Sequence, residues 1–481
     1  MSILFEKIEN LTKKIEENNR WRQKECVNLI PSETTPSSLV KLCEISDPSG
    51  RYAEHRTMKG KEIYFYQGIN FIQDVEENLR QEMAQYFDCP RVELRAVSGQ
   101  MANEVVFKAN VKFINRGRKQ GEPFRKLSLV MNNELTKGGH LSSQPMGSLF
   151  NYVEEDPITG KEKVVNFPVQ RDCLYKTDTK ELRKLLEQHK PELIVFGKSM
   201  FLHKEPVEFV SDIVNDWNPK PVIMYDMAHV LGLYGVLQEP FKEGADIVTG
   251  STHKTFFGPQ RGVIASNIPK GSPLAKLWID IKSRAFPGST SNHHLGTLLA
   301  LLMAAYEMNI FKKEYQTQVR KNARAFAQAL KDKGIDVEGD QADGFTETHQ
   351  VVIRISKHGT GMDLAQRLEE NNIITNYQAL PDDESFLKAS GIRMGVQEMT
   401  RFGMKEKDFN TLAEYIADVT IRNTNVKEKI KTFRKKFLEM QYCLPTKEAA
   451  PFAAKILASI FPKEEFFKLF VDNLQEITKV L

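Results

Sequence analysis

Short runs typical of buried strands alternate with amphipathic helical patterns through the first half of this chain. The strand-like runs are KLSLVM (126–131), PELIVFG (191–197), PVIMYD (221–226), ADIVTG (245–250) and GVIAS (262–266). Helical patterns separate several of them, for example at 176–189 and 205–217. Because strand–helix–strand crossovers have one hand and join parallel neighbours, the alternation predicts an α/β fold with a mostly parallel central sheet flanked by helices.

The pattern changes along the chain and predicts four parts. Residues 1–60 hold an N-terminal helical arm, whose apolar side chains recur at helical spacing and should pack against another surface, and an active-site segment. Residues 61–290 form the large α/β domain, and residues 426–481 a basic helical C-terminal extension. Residues 291–425 hold a long linking helix, from about His294 to Lys333, and a small α+β domain. The strand-like runs of that domain are QVVIRIS (350–356), IITN (373–376) and GIRMG (391–395).

Composition excludes several classes of protein. The 481 residues are 41% hydrophobic and 27% charged, which is typical of globular enzymes. The 67 basic and 63 acidic side chains leave a net charge of +4, so no nucleic-acid partner is indicated. The five cysteines are scattered without a CxxC pair, which favours a reducing cytoplasm over a disulfide framework or a zinc site. The N-terminus lacks a secretory signal, and the run LALLMAAY (299–306) is too short to span a membrane.

Lys254 follows a buried strand in the segment GADIVTGSTHKTFFGPQRG (244–262). A lysine at the mouth of a sheet is desolvated, which lowers its pKa and makes its amine a usable nucleophile. Ser251, Thr252 and Thr255 could hold a phosphate through hydroxyls and turn amides. An ordinary surface lysine after a strand would explain Lys254 equally well if it stood alone.

Asp226 supports the first interpretation, because it stands at the carboxyl end of the preceding strand, where α/β sheets place their ligands. An aspartate there can pair with a protonated pyridine nitrogen and make the ring an electron sink. The alternative is a helix-capping aspartate. Asp226 and His229, with Lys254 on the following strand end, form the pattern of a pyridoxal phosphate enzyme.

The ordered motifs resemble the serine hydroxymethyltransferase family, a fold type I group of pyridoxal phosphate enzymes, over roughly residues 25 to 425. The motifs, closest to the archaeal branch, are NLIPSE (28–33), RYAE (51–54), FYQG (65–68), VSGQMAN (97–103), GGHL (138–141), YDMAHVLGL (225–233), STHKTFFGPQ (251–260), FPG (286–288) and SGIRMG (390–395).

The resemblance implies a role for each matching residue at the cofactor. Lys254 would carry the internal aldimine, and Asp226 would bind the pyridine nitrogen. His140 would stack on the cofactor ring, while His229 and Ser199 would contact its phenolic edge. The groups implied at the phosphate end are Ser98, Gly99, Ser251 and, from the FPG turn, Gly288.

The resemblance also implies how the amino acid is bound. Arg393 would clamp the substrate carboxylate with help from Ser32, since a guanidinium fork meets both oxygens. Glu54 would move the proton on the substrate hydroxyl, with Tyr52 and Tyr66 beside it. In this family these three residues and the FPG turn reach the site from a neighbouring subunit, so a homodimer with a shared site is implied. Dimers that pair into tetramers are left open.

The sequence departs from the family pattern near the expected one-carbon carrier. His55, Arg56 and the segment TMKGKEI (57–63) replace a short glycine loop. The residues Phe65, Gln100 and Asn376-Tyr377-Gln378 also differ from the family pattern. His55 and Arg56 could meet an anionic aldehyde or another pterin, or could be loop residues at a subunit contact. The pair His293-His294 lacks a nearby carboxylate in the sequence, so we expect a helix-start or interface role and no metal.

The resulting hypothesis is an enzyme that interconverts serine and glycine by retro-aldol chemistry. Pyridoxal 5'-phosphate would be its cofactor, and tetrahydrofolate or another pterin would accept the one-carbon unit. The alternative is a folate-independent aldolase or transaldolase acting on threonine or another β-hydroxy amino acid. A catalytically silent binding homologue is the third hypothesis, and the retained Lys254, Asp226, His140 and Arg393 argue against it.

Overall fold

A seven-stranded sheet forms the centre of the protein in a computed structural model that describes residues 1–58 and 61–480. Lys59 and Gly60, inside the departing segment TMKGKEI, lie outside the described residues. The strands are β1 (Val27–Asn28), β2 (His55–Met58), β3 (Lys61–Tyr64), β4 (Arg91–Glu93), β5 (Val130–Asn132), β6 (Val164–Asn166), β7 (Leu193–Gly197), β8 (Val222–Asp226), β9 (Ile247–Ser251), β10 (Gly262–Ser266), β11 (Asp336–Val337), β12 (Gln350–Arg354), β13 (Ile373–Ile374), β14 (Asn376–Gln378) and β15 (Gly391–Gly395).

The central sheet has the order β4-β10-β9-β8-β7-β5-β6. The neighbours from β9 to β6 pair in parallel, and β10 runs antiparallel to both β9 and β4. The predicted α/β class with a mostly parallel sheet is therefore confirmed. The predicted run at 126–131 becomes a strand only from Val130 onward.

Fourteen helices lie around the strands in the described chain. They are α1 (Ser2–Arg20), α2 (Ser38–Glu44), α3 (Asn70–Phe87), α4 (Gly99–Ile114), α5 (Thr179–His189), α6 (Val207–Val214), α7 (Ala275–Ala285), α8 (Leu295–Asp332), α9 (Gly361–Glu370), α10 (Gln397–Arg401), α11 (Glu406–Thr420), α12 (Lys427–Arg434), α13 (Thr446–Ile460) and α14 (Glu464–Val480). The helices expected at 176–189, 205–217 and 294–333 are present as α5, α6 and α8.

Both faces of the sheet are buried. Alternate residues of each strand point to opposite sides, so each strand contributes to two apolar cores. In β7, Ile194 and Phe196 enter the larger apolar core, while Leu193 and Val195 enter a second core on the other face. A strand buried on both faces is typically a near-continuous apolar run, and that continuity makes β7 and β8 recognisable in the sequence.

Helix α8 is long and apolar enough, by length and composition alone, to be considered as a membrane span. However, 56% of its most apolar window is buried, and it packs against α2, α3 and α11. It serves here as a core helix, as expected for the run at 299–306.

A four-stranded antiparallel sheet of order β11-β12-β15-β14 follows α8. The predicted strand IITN is split: Ile373–Ile374 pairs in parallel with β1, and Asn376 begins β14 beside β15. The N-terminal segment is thereby tied to this sheet. A side chain at Gly395 would come within 2.5 Å of the Pro31 Cα, so the end of β15 and the segment NLIPSE (28–33) are in close contact.

The two ends of the chain are helical and largely exposed. No residue of α1 is buried within the chain, and its apolar side chains Leu4, Phe5, Ile8 and Leu11 are each more than half exposed. The expectation that the arm packs is therefore not met by any surface of the described chain itself. Helix α13 contacts α2, whereas Phe466 and Leu469 of α14 remain exposed.

Candidate active site

Lys254 lies just beyond β9, at the carboxyl end of the parallel strands. Its Nζ atom is 3.1 Å from the His229 Nε2 atom. Burial lowers the pKa of the Lys254 ammonium to about 8, with the Arg393 charge acting in the same direction and Asp226 opposing it. Burial and the neighbouring Lys254 charge also hold the pKa of His229 well below its usual value. A neutral imidazole beside a readily deprotonated amine suits a nucleophilic lysine.

Asp226, at the end of β8, is held by three donors. Its Oδ2 atom contacts His140 Nδ1 and accepts a 2.8 Å bond from Asn103 Nδ2, while Oδ1 accepts one from the Ala228 amide at 2.9 Å. Burial raises the pKa of Asp226, but the His140 charge and these hydrogen bonds outweigh it and leave the pKa below its usual value. The carboxylate is therefore ionised and ready to pair with a cation.

Asn103 belongs to the motif VSGQMAN (97–103), but the sequence predicted no role for it. Its Oδ1 atom accepts a 2.6 Å hydrogen bond from the Thr249 hydroxyl, which sets the orientation of the amide. The amide nitrogen then donates to both Asp226 and Ser142. A buried asparagine on the first turns of a helix that faces the strand end was the available signal.

Ser98, Gly99 and Ser251 form a narrow cradle where α4 begins. Ser98 caps α4 by accepting from the Met101 amide at 3.1 Å. A Cβ atom on Gly99 would lie 2.0 Å from the Ser251 Oγ atom, so only glycine fits between them. A helix N-terminus with hydroxyls and unobstructed backbone is a natural site for a phosphate.

Thr252 and Thr255 do not belong to that cradle, which corrects the wider set proposed from the sequence. The Thr252 hydroxyl donates to the Pro259 and Arg261 carbonyl oxygens. The Thr255 hydroxyl donates to the His229 carbonyl oxygen. Both hydroxyls therefore stabilise the loop that carries Lys254.

Arg393 is buried in β15 without an acidic partner among the described residues. Its Nη1 atom donates to the Ser199 carbonyl oxygen at 2.8 Å, and its Nε atom lies 3.4 Å from Asn376 Oδ1. Burial lowers the pKa of the guanidinium to about 10. Ser199 thus contacts Arg393 through its main chain. A buried cation needs an anion, and a substrate carboxylate would supply it.

The segment that carries Ser32 lies beside the same strand. The Pro31 carbonyl oxygen is 3.0 Å from His349 Nε2, and the Leu29 carbonyl accepts from the Gly395 amide. Burial lowers the pKa of His349 to about 3, so it remains neutral. This arrangement brings Ser32 to the end of β15 that follows Arg393.

Tyr52, Glu54 and Tyr66 form a separate, more exposed group at the base of the β2–β3 hairpin. The Tyr52 and Tyr66 rings stack with centroids 5.5 Å apart, and both side chains are over 40% exposed. Within the described chain, none of the three side chains hydrogen-bonds to Lys254, Asp226 or Arg393. Gly288, in the FPG turn, is likewise exposed and lines a cavity with Arg56.

His55 is not available to a substrate, which corrects one half of the hypothesis for this segment. It is 4% exposed and stacks on Tyr64 with ring centroids 4.4 Å apart. Its Nε2 atom lies 3.6 Å from Glu76 Oε2. The expectation that no carboxylate lies near His293 is also wrong, since His293 Nε2 is 2.6 Å from Glu76 Oε1. His294 is the N-cap residue that precedes α8, in agreement with the expected helix-start role.

Comparison with known proteins identifies the family of this chain. The family profile "Serine hydroxymethyltransferase" matches residues 5–416. The serine hydroxymethyltransferase of Staphylothermus marinus is 39% identical over 430 residues, covering 88% of this chain and 90% of that one. The Sulfolobus acidocaldarius enzyme of the same name is 36% identical over 465 residues, covering 95% of this chain and 99% of that one.

A solved structure extends the comparison to the fold. The crystal structure of L-threonine transaldolase from Pseudomonas fluorescens, in its internal aldimine state, has a TM-score of 0.80 and 26% sequence identity. The match covers 96% of this chain and 100% of that one. With the family profile spanning most of the sequence, the chain belongs to the serine hydroxymethyltransferase family, whose fold is that of the type I pyridoxal phosphate enzymes.

Proposed function

We propose that this protein interconverts serine and glycine with pyridoxal 5'-phosphate and passes the one-carbon unit to tetrahydrofolate or a related pterin. One observation carries the proposal. The guanidinium of Arg393 is buried without a carboxylate partner in the described chain, and its charge and that of Asp226 both act on Lys254. An α-amino acid supplies the two groups that this arrangement lacks, a carboxylate for Arg393 and an amine beside Lys254.

The residues present fit the proposed cofactor. Gly99 lets the Ser251 hydroxyl approach the start of α4, where the Ser98 hydroxyl also lies, so hydroxyls and helix amides converge there on the expected phosphate. Asp226 is ionised and can hold a protonated ring nitrogen, and the buried Lys254 amine can capture an aldehyde. When bound, the cofactor ring stabilises the negative charge left on the α-carbon after a bond to that carbon breaks.

The other residues orient the substrate and move its proton. Arg393 would hold the carboxylate at a fixed angle, with Ser32 beside it. Glu54 would accept the proton of the substrate hydroxyl as the carbon–carbon bond breaks and return it in the reverse direction. His229 would stay neutral throughout, because burial holds its pKa down.

We also propose that Glu54, Tyr52 and Tyr66 complete the site of a second subunit in a homodimer. The support is their position at the base of the hairpin: Tyr52 and Tyr66 are exposed and Glu54 is half-buried, all outside the hydrogen-bonded group around Lys254 in the described chain. Gly288 would reach the same neighbouring site from the FPG turn.

The second candidate is a folate-independent aldolase or transaldolase that uses threonine or another β-hydroxy amino acid. The similarity to an L-threonine transaldolase structure supports it. So does Tyr377, whose ring lies 5.3 Å from that of Phe386 beside β14, where the family pattern expects a different residue.

A cleavage assay separates these candidates. The holoenzyme is given serine or threonine, with and without tetrahydrofolate, and glycine is measured. Serine cleavage that depends on the folate supports the transferase, whereas full turnover without folate supports the aldolase. Lys254→Ala should abolish both reactions, and Lys242→Ala, at an exposed lysine paired with Glu239, should leave them unchanged. Glycine formation by Lys254→Ala would refute the assignment of Lys254.

A further inference from the structure

A cavity of about 490 Å³ lies between the β2–β3 hairpin and the FPG turn. The charged side chains that line it are all basic: Arg56, Arg95, Lys282 and Arg284. Arg95 is neutralised by a bond to Glu93, and Lys282 by a contact with Glu62. Arg56 and Arg284 have no ion pair within the described chain. The cavity therefore carries about two uncompensated positive charges.

Arg284 gives a second indication of an anionic ligand. Its Nε atom is buried and has no hydrogen-bond partner among the described residues. Buried donors are almost always paired in folded proteins, and an exception points to a missing water or ion. An anion in this cavity would meet the outer end of the Arg284 guanidinium and Arg56 at the same time.

Arg56 lies on the same side of the hairpin as Glu54. The Phe65 amide donates to the Glu54 carbonyl oxygen, so the ladder of the hairpin continues to Glu54. Residues two apart in an extended strand point to the same face, and the intervening His55 points inward to Glu76. An anionic group of a molecule whose hydroxyl is at Glu54 is therefore within reach of Arg56.

We propose that this cavity binds an anionic group, carboxylate or phosphate, of the second substrate. The proposal rests on the proposed retro-aldol function and adds its substrate class. Two sources share this chemistry: an aldehyde that carries an acid group, and a pterin carrier with an acidic tail. Arg56 and Arg284 would bind the anion bidentately, and Glu54 would act on the neighbouring hydroxyl.

Matched substrate pairs test the proposal and separate the two sources. For the aldehyde, threonine yields glycine and acetaldehyde, and 3-hydroxyaspartate yields glycine and glyoxylate. These two substrates differ by a methyl group in place of a carboxylate. For the carrier, serine cleavage is measured with tetrahydrofolate and with 6-methyltetrahydropterin, which has no acidic tail. Arg56→Gln and Arg284→Gln should each lower kcat/KM about 10- to 100-fold for the acidic member of one pair, as expected for a lost bidentate contact. That member is 3-hydroxyaspartate if the aldehyde carries the anion, and serine with tetrahydrofolate if the carrier does. The neutral member should change less than about threefold.

Arg51→Gln is the control, because Arg51 is exposed and already paired with Asp47. An equal loss for both members of each pair, with or without a weakened dimer, would mean that the arginines only hold a subunit contact, and would overturn the proposal. No loss for any substrate would also overturn it.

A binding measurement keeps this test independent of turnover. Inorganic phosphate is titrated calorimetrically into the holoenzyme saturated with glycine, which occupies Arg393. Arg56→Gln should weaken phosphate binding at least tenfold relative to Arg51→Gln, and unchanged binding overturns the proposal. If the wild type cleaves no substrate but binds phosphate through Arg56, the proposed function fails while the anion site stands.

Discussion

Arg393 is buried, and no carboxylate of the described chain lies against it. Arg95 answers Glu93 and Arg401 approaches Glu307, whereas Arg393 meets only the oxygens of Ser199 and Asn376. A folded chain tolerates such a cation when a bound anion compensates it in the working state. At the scale of a residue, the missing counter-ion of Arg393 therefore indicates where a substrate carboxylate would bind.

Replacing Arg393 should therefore damage substrate binding more than folding. Arg393→Gln should raise KM for serine by about 30-fold or more, because losing one partner of a buried charge pair costs about 2–5 kcal/mol. The free energy of unfolding without substrate should fall little or rise, since an uncompensated buried charge is removed. Steady-state kinetics and urea denaturation measure the two effects. A normal KM for serine would show that the carboxylate binds elsewhere.

The lowered pKa of Lys254 can be tested without any cofactor. In the apoprotein, acetylation of Lys254 by acetic anhydride should rise with pH around a midpoint near 8, because only the neutral amine reacts. Peptide mass spectrometry reads this lysine separately from the exposed Lys242, whose hydrogen bond to Glu239 holds its pKa above the usual lysine value. The same midpoint for both lysines would contradict the desolvated site.

At the scale of an element, the hairpin that carries Glu54 is anchored by a buried carboxylate. Glu76 on α3 contacts His55 on β2 and His293 just before α8, and accepts the Tyr64 hydroxyl at 2.7 Å. The two histidines are distant in the sequence, yet they share Glu76 as a partner. The segment that replaces the family's short loop is therefore stabilised by its contacts with Glu76.

Removing the charge of Glu76 should loosen this hairpin. We expect Glu76→Gln to lower the free energy of unfolding by about 3 kcal/mol, because a buried pair that loses one partner leaves an uncompensated group. Glu77→Gln, next to it but exposed, should cost less than about 0.5 kcal/mol. Urea denaturation measures both variants. Equal stability of the two would mean that the Glu76 contacts contribute nothing net.

The elements differed in how well the sequence indicated them. The strands β7 and β8 are mostly apolar runs, and their burial follows directly from that pattern. Edge strand β4, Arg91–Glu93, has no such run, and all three of its residues pair with β10. IITN looks like one strand, yet its first half pairs with β1, far away in the sequence, and its second half begins a strand that pairs with β15. The cradle and Lys254 were recognisable from motifs, whereas Asn103 and Glu76 required three-dimensional neighbours.

At the scale of the whole molecule, charged side chains connect the central sheet to the part built on the small sheet. Lys176 contacts Asp340 and Asp343, and His203 Nδ1 lies 3.8 Å from Glu347. His203 Nε2 accepts the Asp340 amide, so Nδ1 carries the proton and points toward the carboxylates. This tautomer favours an ion-pair cluster over a metal site. We propose that the cluster holds together the two domains predicted at 61–290 and 291–425.

Acid should weaken this connection. Burial raises the pKa of Glu347, but His203 and the Lys204 amide outweigh it and bring the pKa down to about 2. A carboxyl whose pKa is lower in the folded than in the unfolded state stabilises the fold above its unfolded value, near 4.3, and loses that contribution as pH falls toward 2. Glu347→Gln should therefore reduce stability at pH 6 by at most about 1 kcal/mol. It should change little near pH 2 relative to Glu9→Gln on exposed α1, and an equal effect at both pH values would contradict the assignment.

The proposed sharing of sites between subunits has its own test. Lys254→Ala and Glu54→Gln should each inactivate a homodimer, since one removes the cofactor lysine and the other the proton-transfer group. If Glu54 acts in the neighbour's site, a heterodimer of the two variants has one site with both defects and one intact site. Random reassortment of an equal mixture, in which half of the dimers are mixed, should then restore about a quarter of wild-type activity. If Glu54 acts within its own chain, every site keeps one defect and mixing restores nothing. Serine cleavage, followed as the mixture is dissociated in mild urea and reassembled, distinguishes these outcomes, and the unmixed variants treated in the same way give the baseline.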